Sequence, residues 1–86
     1  MLKVEFSKIS EKFMKKCDNS IYRRILDKIQ GLSKNPFPTD CKRVINKEGK
    51  LFRIRVGNYR IIYEVFNNKN AIVISNINKR NQIYNK

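Results

Sequence analysis

The sequence contains no histidine and no tryptophan. Without histidine, serine–histidine and cysteine–histidine catalysis are excluded, and so are histidine-ligated metal sites. Cys17 and Cys41 are too few for a disulfide framework or a four-cysteine zinc site, and no CxxC occurs. They read as small apolar residues, buried or half-buried; a disulfide between them has no support. No stretch approaches the roughly 20 apolar residues of a membrane span. The start, Met1-Leu2-Lys3-Val4-Glu5, lacks the apolar run of a signal peptide. The expectation is a cytoplasmic protein with no membrane association, no metal and no small-molecule cofactor. Acidic side chains are also scarce, at 7 against 20 lysines and arginines.

What is present is a strong positive charge on a short chain. Eighty-six residues at +13 fit one domain, 1–86, and a chain this short buries only about 60% of its unfolded surface. A Rossmann or barrel enzyme is excluded by length. The charge repels itself and calls for a polyanionic partner. It is lopsided: residues 1–41 carry nine basic and five acidic side chains, net +4, and residues 42–86 carry eleven and two, net +9. The ligand face is expected in the second half.

Leu2, Val4 and Phe6 alternate with polar residues, which predicts a strand. Ser7 is a helix N-cap candidate. Ile9, Phe13 and Cys17 are then expected along the inner face of a first helix. Asp18-Asn19-Ser20 breaks it and can cap a second, in which Ile21, Tyr22, Ile25, Leu26, Ile29 and Leu32 recur at helical spacing. That helix ends between Gly31 and Asn35, because Pro36 disfavours a helical residue before it. Strands follow at Arg43-Val44-Ile45, 51–56, 59–66 and 71–77, with turns at 46–49, 57–58 and 67–70. The fold class is α+β: a small single domain with two N-terminal helices packed on one face of a mainly antiparallel twisted sheet, in the order β-α-α-β-β-β-β.

Gly57-Asn58 is a two-residue hairpin turn, glycine first as a type II′ turn prefers. Taken literally, it pairs Val56 with Tyr59, Arg55 with Arg60, Ile54 with Ile61 and Arg53 with Ile62. One face then holds Phe52, Ile54, Val56, Tyr59, Ile61, Tyr63 and Val65, for the helices. The other holds Arg53, Arg55, Arg60, Ile62 and Glu64. Continuing the register, Phe66 opposes Ala71, Ser75 falls beside Ile62, and Ile77 beside Arg60. Two arginines directly opposite each other cost stability on a sheet shaped only by folding. A solvated basic face is the structural alternative. The functional reading is an open anion site, since the guanidinium fork grips phosphate oxygens bidentately. On that reading Arg60 is a surface residue, and its removal should leave stability unchanged. Tyr59 and Tyr63 point to the core side, while Tyr84, in the polar tail, can pack back or offer its ring to a base.

The run Phe52-Arg53-Ile54-Arg55-Val56-Gly57-Asn58-Tyr59-Arg60-Ile61-Ile62-Tyr63 resembles the core signature of the RelE/ParE toxin superfamily, aromatic-Arg-Ile-Arg-x-Gly-x-Tyr-Arg-x-x-Tyr. Lys79-Arg80-Asn81-Gln82-Ile83-Tyr84 resembles its basic-Arg-x-x-x-Tyr ending, and element order and length agree over nearly the whole chain. The resemblance to the RelE-like branch implies the toxin of a type II toxin–antitoxin system: a metal-independent endoribonuclease, an mRNA interferase, that cleaves messenger RNA in the ribosomal A site. The 2′-hydroxyl attacks the adjacent phosphate. By the same resemblance Arg53 and Arg55 are the basic residues of the first hairpin strand. Arg60 stabilises the phosphate, Arg80 acts at the leaving group, and Tyr84 stacks on the substrate base. The implied partners are an acidic, RelB-like antitoxin and the ribosome with its mRNA.

Some relatives carry lysine where this chain has Arg53 and Arg55, and several carry a tail histidine. Arginine is a poor base, so the proton acceptor is open, with Lys50 and Lys79 as candidates. The alternatives are a ParE-like toxin that inhibits DNA gyrase without nuclease activity, and a relative that binds RNA without cutting it.

Overall fold

The computed structural model describes residues 1–44 and 51–79. The order is β1 (Lys3–Phe6), α1 (Lys8–Lys16), α2 (Asn19–Lys34), β2 (Lys42–Val44), β3 (Leu51–Val56), β4 (Tyr59–Phe66), a 3-10 turn (Asn67–Lys69) and β5 (Ala71–Lys79). The five strands form one sheet in the order β1-β5-β4-β3-β2. All neighbours are antiparallel except β1, which runs parallel to β5. The α+β architecture and the element order are those expected. Ile45 and the 46–49 turn lie outside the described residues. None of the described helices is long and apolar enough to cross a membrane.

Both helix starts follow from their caps. The Ser7 side chain accepts from the Ser10 backbone N–H, and the Asp18 carboxylate accepts from that of Ile21. The second helix buries Ile25, Ile29 and Leu32 against Ile54, Ile61, Tyr63, Ile72, Ile74 and Ile77 of the sheet. Each such side chain contributes about 1.5–3 kcal/mol by leaving water. The first helix departs from expectation. Ile9 is 63% exposed, whereas Ser10 and Met14 point inward. The helix is rotated because Ser10 bonds the sheet: its hydroxyl donates to the Ile74 carbonyl at 2.8 Å.

The β3–β4 register is the one the turn dictated, from Val56↔Tyr59 through Arg53↔Ile62 to Leu51↔Glu64. Gly57 holds φ +59, the left-handed conformation glycine adopts at no steric cost. A Cβ there would also lie 2.5 Å from the Arg24 guanidinium. The β4–β5 register begins as expected at Phe66↔Ala71 but shifts between Tyr63 and Ile62. A bulge at Ser75 places Asn76 opposite Ile62, Ile77 opposite Ile61 and Asn78 opposite Arg60, not Ser75 and Ile77 as the unbroken register required. The extra residue reverses the alternation, so Ile72, Ile74 and Ile77 all reach the core. Ser7 and Ser10 hold it. The Ser7 hydroxyl donates to the Ser75 carbonyl at 2.8 Å, and Ile74's carbonyl also accepts the Ser7 N–H at 3.0 Å.

Ser10 is fully buried, so Ser10→Ala should cost about 1–2 kcal/mol, the worth of a buried hydrogen bond with its desolvated partner. In a domain of this size that lowers Tm by roughly 4–8 °C per kcal/mol. Thermal denaturation checks it; a variant melting with the parent would show that the bulge holds without this hydroxyl.

Candidate active site

The sheet face away from the helices carries the expected cations, but they are not equivalent. Arg55 is exposed and Arg53 half-buried. Arg60, directly opposite Arg55, is only 1% exposed. The expectation of an open three-arginine surface is corrected on this point. β4 is the central strand, so Arg60 is paired with Arg55 on one side and Asn78 on the other. Ile62 and Glu64 follow on the same face, half-buried. Phe66 lies under Lys69, whose ammonium stands 5.6 Å from the ring centre. Arg80, Tyr84 and Lys50 lie outside the described residues. Lys79 pairs with Tyr59 at the end of β5.

The accessible cations gather at the sheet margin. β2 covers only Leu51–Arg53 of β3, so the edge of β3 continues past it through Ile54 and Arg55. There a cleft of about 430 Å³ opens, lined by Asp40, Lys42, Arg53, Ile54 and Arg55. Lys42 is the cross-strand partner of Arg53. Three cations and one carboxylate thus surround a space large enough for a nucleotide-sized group. Lys42 and Asp40 were not foreseen, because their placement depends on the β2–β3 register, for which the sequence holds no two-residue turn. Lys79 does not line this cleft.

Asp40 arrives on a loop anchored from beneath. Its carboxylate pairs with Lys28 of α2 at 3.2 Å. The Tyr63 hydroxyl donates to the Pro36 carbonyl at 2.7 Å. Phe37 packs edge-on to Phe52 with ring centres 5.0 Å apart, and Phe52 lies 5.9 Å from the Tyr63 ring. Tyr63 and Tyr59 both face the core as expected, Tyr59 edge-on to Phe13 at 5.6 Å. Burial, and then a hydrogen bond with the Cys41 side chain, push the Tyr63 hydroxyl far above its ordinary pKa. It is a fixed donor, not a titrating group. Cys17 and Cys41 are free thiols, both half-buried; burial first, then the nearby Asp18 charge, raise the Cys17 pKa. Among the described residues no cluster of three or more histidine, cysteine, aspartate or glutamate side chains is placed to hold a metal ion.

The family model for the ParE toxin of the type II toxin–antitoxin system parDE matches residues 4–84. No curated protein matches the chain by sequence. Solved structures are similar over nearly its whole length. The archaeal RelE–RelB complex from Pyrococcus horikoshii OT3 matches with 28% identity and a TM-score of 0.79, covering 92% of this chain and 94% of that one. The RelB–RelE antitoxin–toxin complex from Methanococcus jannaschii matches with 29% identity and a TM-score of 0.71, covering 94% and 95%. The isolated E. coli RelE toxin shares the fold at 16% identity, with a TM-score of 0.79 and coverage of 98% and 92%.

The burial of Arg60 reverses the expected effect of removing it. Arg60→Ala relieves the like-charge pair with Arg55 but empties a buried site, and truncating a buried long side chain costs about 2–5 kcal/mol. The variant should unfold at clearly lower urea concentration with an unchanged m value. A midpoint equal to the parent's would show that Arg60 behaves as a surface residue.

Proposed function

The chain belongs to the ParE toxin family of type II toxin–antitoxin systems, and from that membership we propose that it is a RelE-like, metal-independent endoribonuclease. It cuts messenger RNA in the ribosomal A site and is held inactive by an acidic, RelB-like antitoxin. The observation that carries this reading is the cleft of Lys42, Arg53 and Arg55 around the Asp40 carboxylate. A toxin that acts only by protein contact has no need of it. The similarity to RelE structures in complex with RelB supports an antitoxin partner.

The chemistry follows from the lining. Arg53, Arg55 and Lys42 hold the scissile phosphate and offset the charge that gathers on its oxygens, and positioned donors of this kind are worth most where water is excluded. The Asp40 carboxylate accepts the proton of the 2′-hydroxyl as its oxygen attacks phosphorus. The bond to the 5′-oxygen breaks, leaving a 2′,3′-cyclic phosphate. Buried Arg60 adds a fixed positive potential beneath Arg55, less screened than a surface charge. Arg80 stabilises the departing 5′-oxygen and Tyr84 stacks on the base, on the strength of the tail's resemblance.

The second reading, inhibition of DNA gyrase without cleavage, is favoured by the match to the ParE family model itself. Toeprinting on purified ribosomes separates the two. The nuclease truncates message in the A site, whereas the gyrase inhibitor leaves message whole and blocks supercoiling.

Arg55 is exposed, so Arg55→Ala should change stability by no more than about 0.5 kcal/mol yet slow single-turnover cleavage by about 10²–10³-fold. Asp40→Asn should slow it at least tenfold with ribosome affinity kept. Cleavage at parental rate by either variant would remove that residue from the site.

Arg80→Ala and Tyr84→Ala should each lower A-site cleavage at least tenfold, about 1.4 kcal/mol of barrier, at parental Tm. A Tyr84→Ala protein that melts lower and cuts normally would assign the ring to packing.

A further inference from the structure

A phenol stands where a phenyl ring would fill the same volume. Tyr63 is fully buried, on the helix side of β4, and its ring packs on Phe52. None of that packing uses the hydroxyl. The hydroxyl is spent on the loop between α2 and β2. It donates to the Pro36 carbonyl near the loop's start, and the loop ends at Cys41, just before β2 begins. Between these points the loop closes on itself, the Cys41 N–H donating to the Pro38 carbonyl at 3.1 Å. Phe37 presses on Phe52 from outside. The residue before Cys41 is Asp40.

We infer that Tyr63 is a positioning residue for the reaction: its hydroxyl anchors the Pro36–Cys41 loop at Pro36 and thereby fixes Asp40 at the mouth of the cleft, without touching substrate. The inference rests on the reading of Asp40 as proton acceptor. A carboxylate carried by a loose loop loses the alignment that makes proton transfer efficient, and about an ångström of misplacement costs on the order of 10²-fold in rate. The Lys28 pair alone cannot hold it, since exposed ion pairs are worth about 0–1 kcal/mol. The hydrogen bond from the buried Tyr63 hydroxyl is worth more, because a buried donor that loses its partner costs about 1–3 kcal/mol.

The test uses Tyr63→Phe, which keeps the ring and its volume, in a Cys17→Ser background so that Cys41 is the one thiol. Iodoacetamide alkylation of Cys41 reports the loop, single-turnover cleavage on ribosomes reports the chemistry, and ribosome affinity and Tm are measured alongside. Alkylation should accelerate about tenfold and cleavage slow at least tenfold, with affinity within twofold. Because Tyr63 acts through Asp40, the double variant Tyr63→Phe/Asp40→Asn should cut no more slowly than Asp40→Asn alone. Ile29→Val, a core change that leaves the Tyr63 hydroxyl and the loop residues in place, controls for loss of stability and should keep parental alkylation and cleavage. An unchanged alkylation rate overturns the tether. Parental cleavage by Tyr63→Phe, additive losses in the double variant, or equal losses in Ile29→Val overturn the positioning role. If the parent itself leaves ribosome-bound message intact, the nuclease reading fails and the positioning role falls with it, while the alkylation rates still decide the tether.

Discussion

With φ +59 at Gly57 the chain reverses in two residues, and every position of β4 acquires one fixed partner on β3. A slip of one residue would turn each side chain to the opposite face. For β4 against β3 it would bring Arg60 against the helices and put Ile61 and Tyr63 on the outer face. The core and the cationic face are therefore two consequences of one turn. Glycine is favoured there by the left-handed conformation, and the Arg24 guanidinium lies against it. The second helix is held on the sheet by Ile25, Ile29 and Leu32, and its Arg24 side chain reaches the hairpin tip.

That register forces a like-charge pair, Arg55 opposite Arg60. The chain separates the two by depth. Arg55 projects outward and Arg60 lies buried between its neighbours on β3 and β5. A buried guanidinium is costly in isolation, but it also creates a positive potential that salt does not screen away. The accessible cations sit where strand pairing stops. β2 spans three residues, and the uncovered edge of β3 supplies the wall of the cleft. The site depends on a strand being short, because a longer β2 would fill the space that Asp40, Lys42, Arg53 and Arg55 enclose.

Features set by neighbours in sequence were legible. The caps Ser7 and Asp18, the spacing of Ile25, Ile29 and Leu32, and the β3–β4 register all follow from local patterns, and the structure carries each of them. Features set by distant partners were not. The bulge at Ser75 is held by hydroxyls of Ser7 and Ser10, more than sixty residues away, and no pattern within β5 announces it. The same bonds turn α1 so that Ser10 replaces Ile9 on the inner face. The hairpin pattern does not announce the burial of Arg60 either. Alternation along the hairpin gives a residue's face but not its depth. Asp40 and Lys42 join Arg53 and Arg55 only through the pairing of β2 with β3, across a connection that carries no register signal. Chemistry assembled across that pairing is visible only in three dimensions.

The site thus divides between a rigid part and a carried part. Arg53 and Arg55 stand on a strand hydrogen-bonded into the sheet, with their backbone fixed by the hairpin, and need no further support. Asp40 stands on a loop, where backbone is ordinarily mobile, and the phosphate-binding groups gain little from it unless it is held as firmly as they are. Tyr63 provides that from the middle of β4, the same strand that carries Arg60 on its other face. A single strand therefore supports both halves of the chemistry, cation on one side and loop tether on the other. Alternation by twos makes this possible, with Arg60, Ile62 and Glu64 turned outward while Ile61, Tyr63 and Val65 turn inward. A substitution in β4 is consequently felt twice, in the core it fills and in the cleft it never enters.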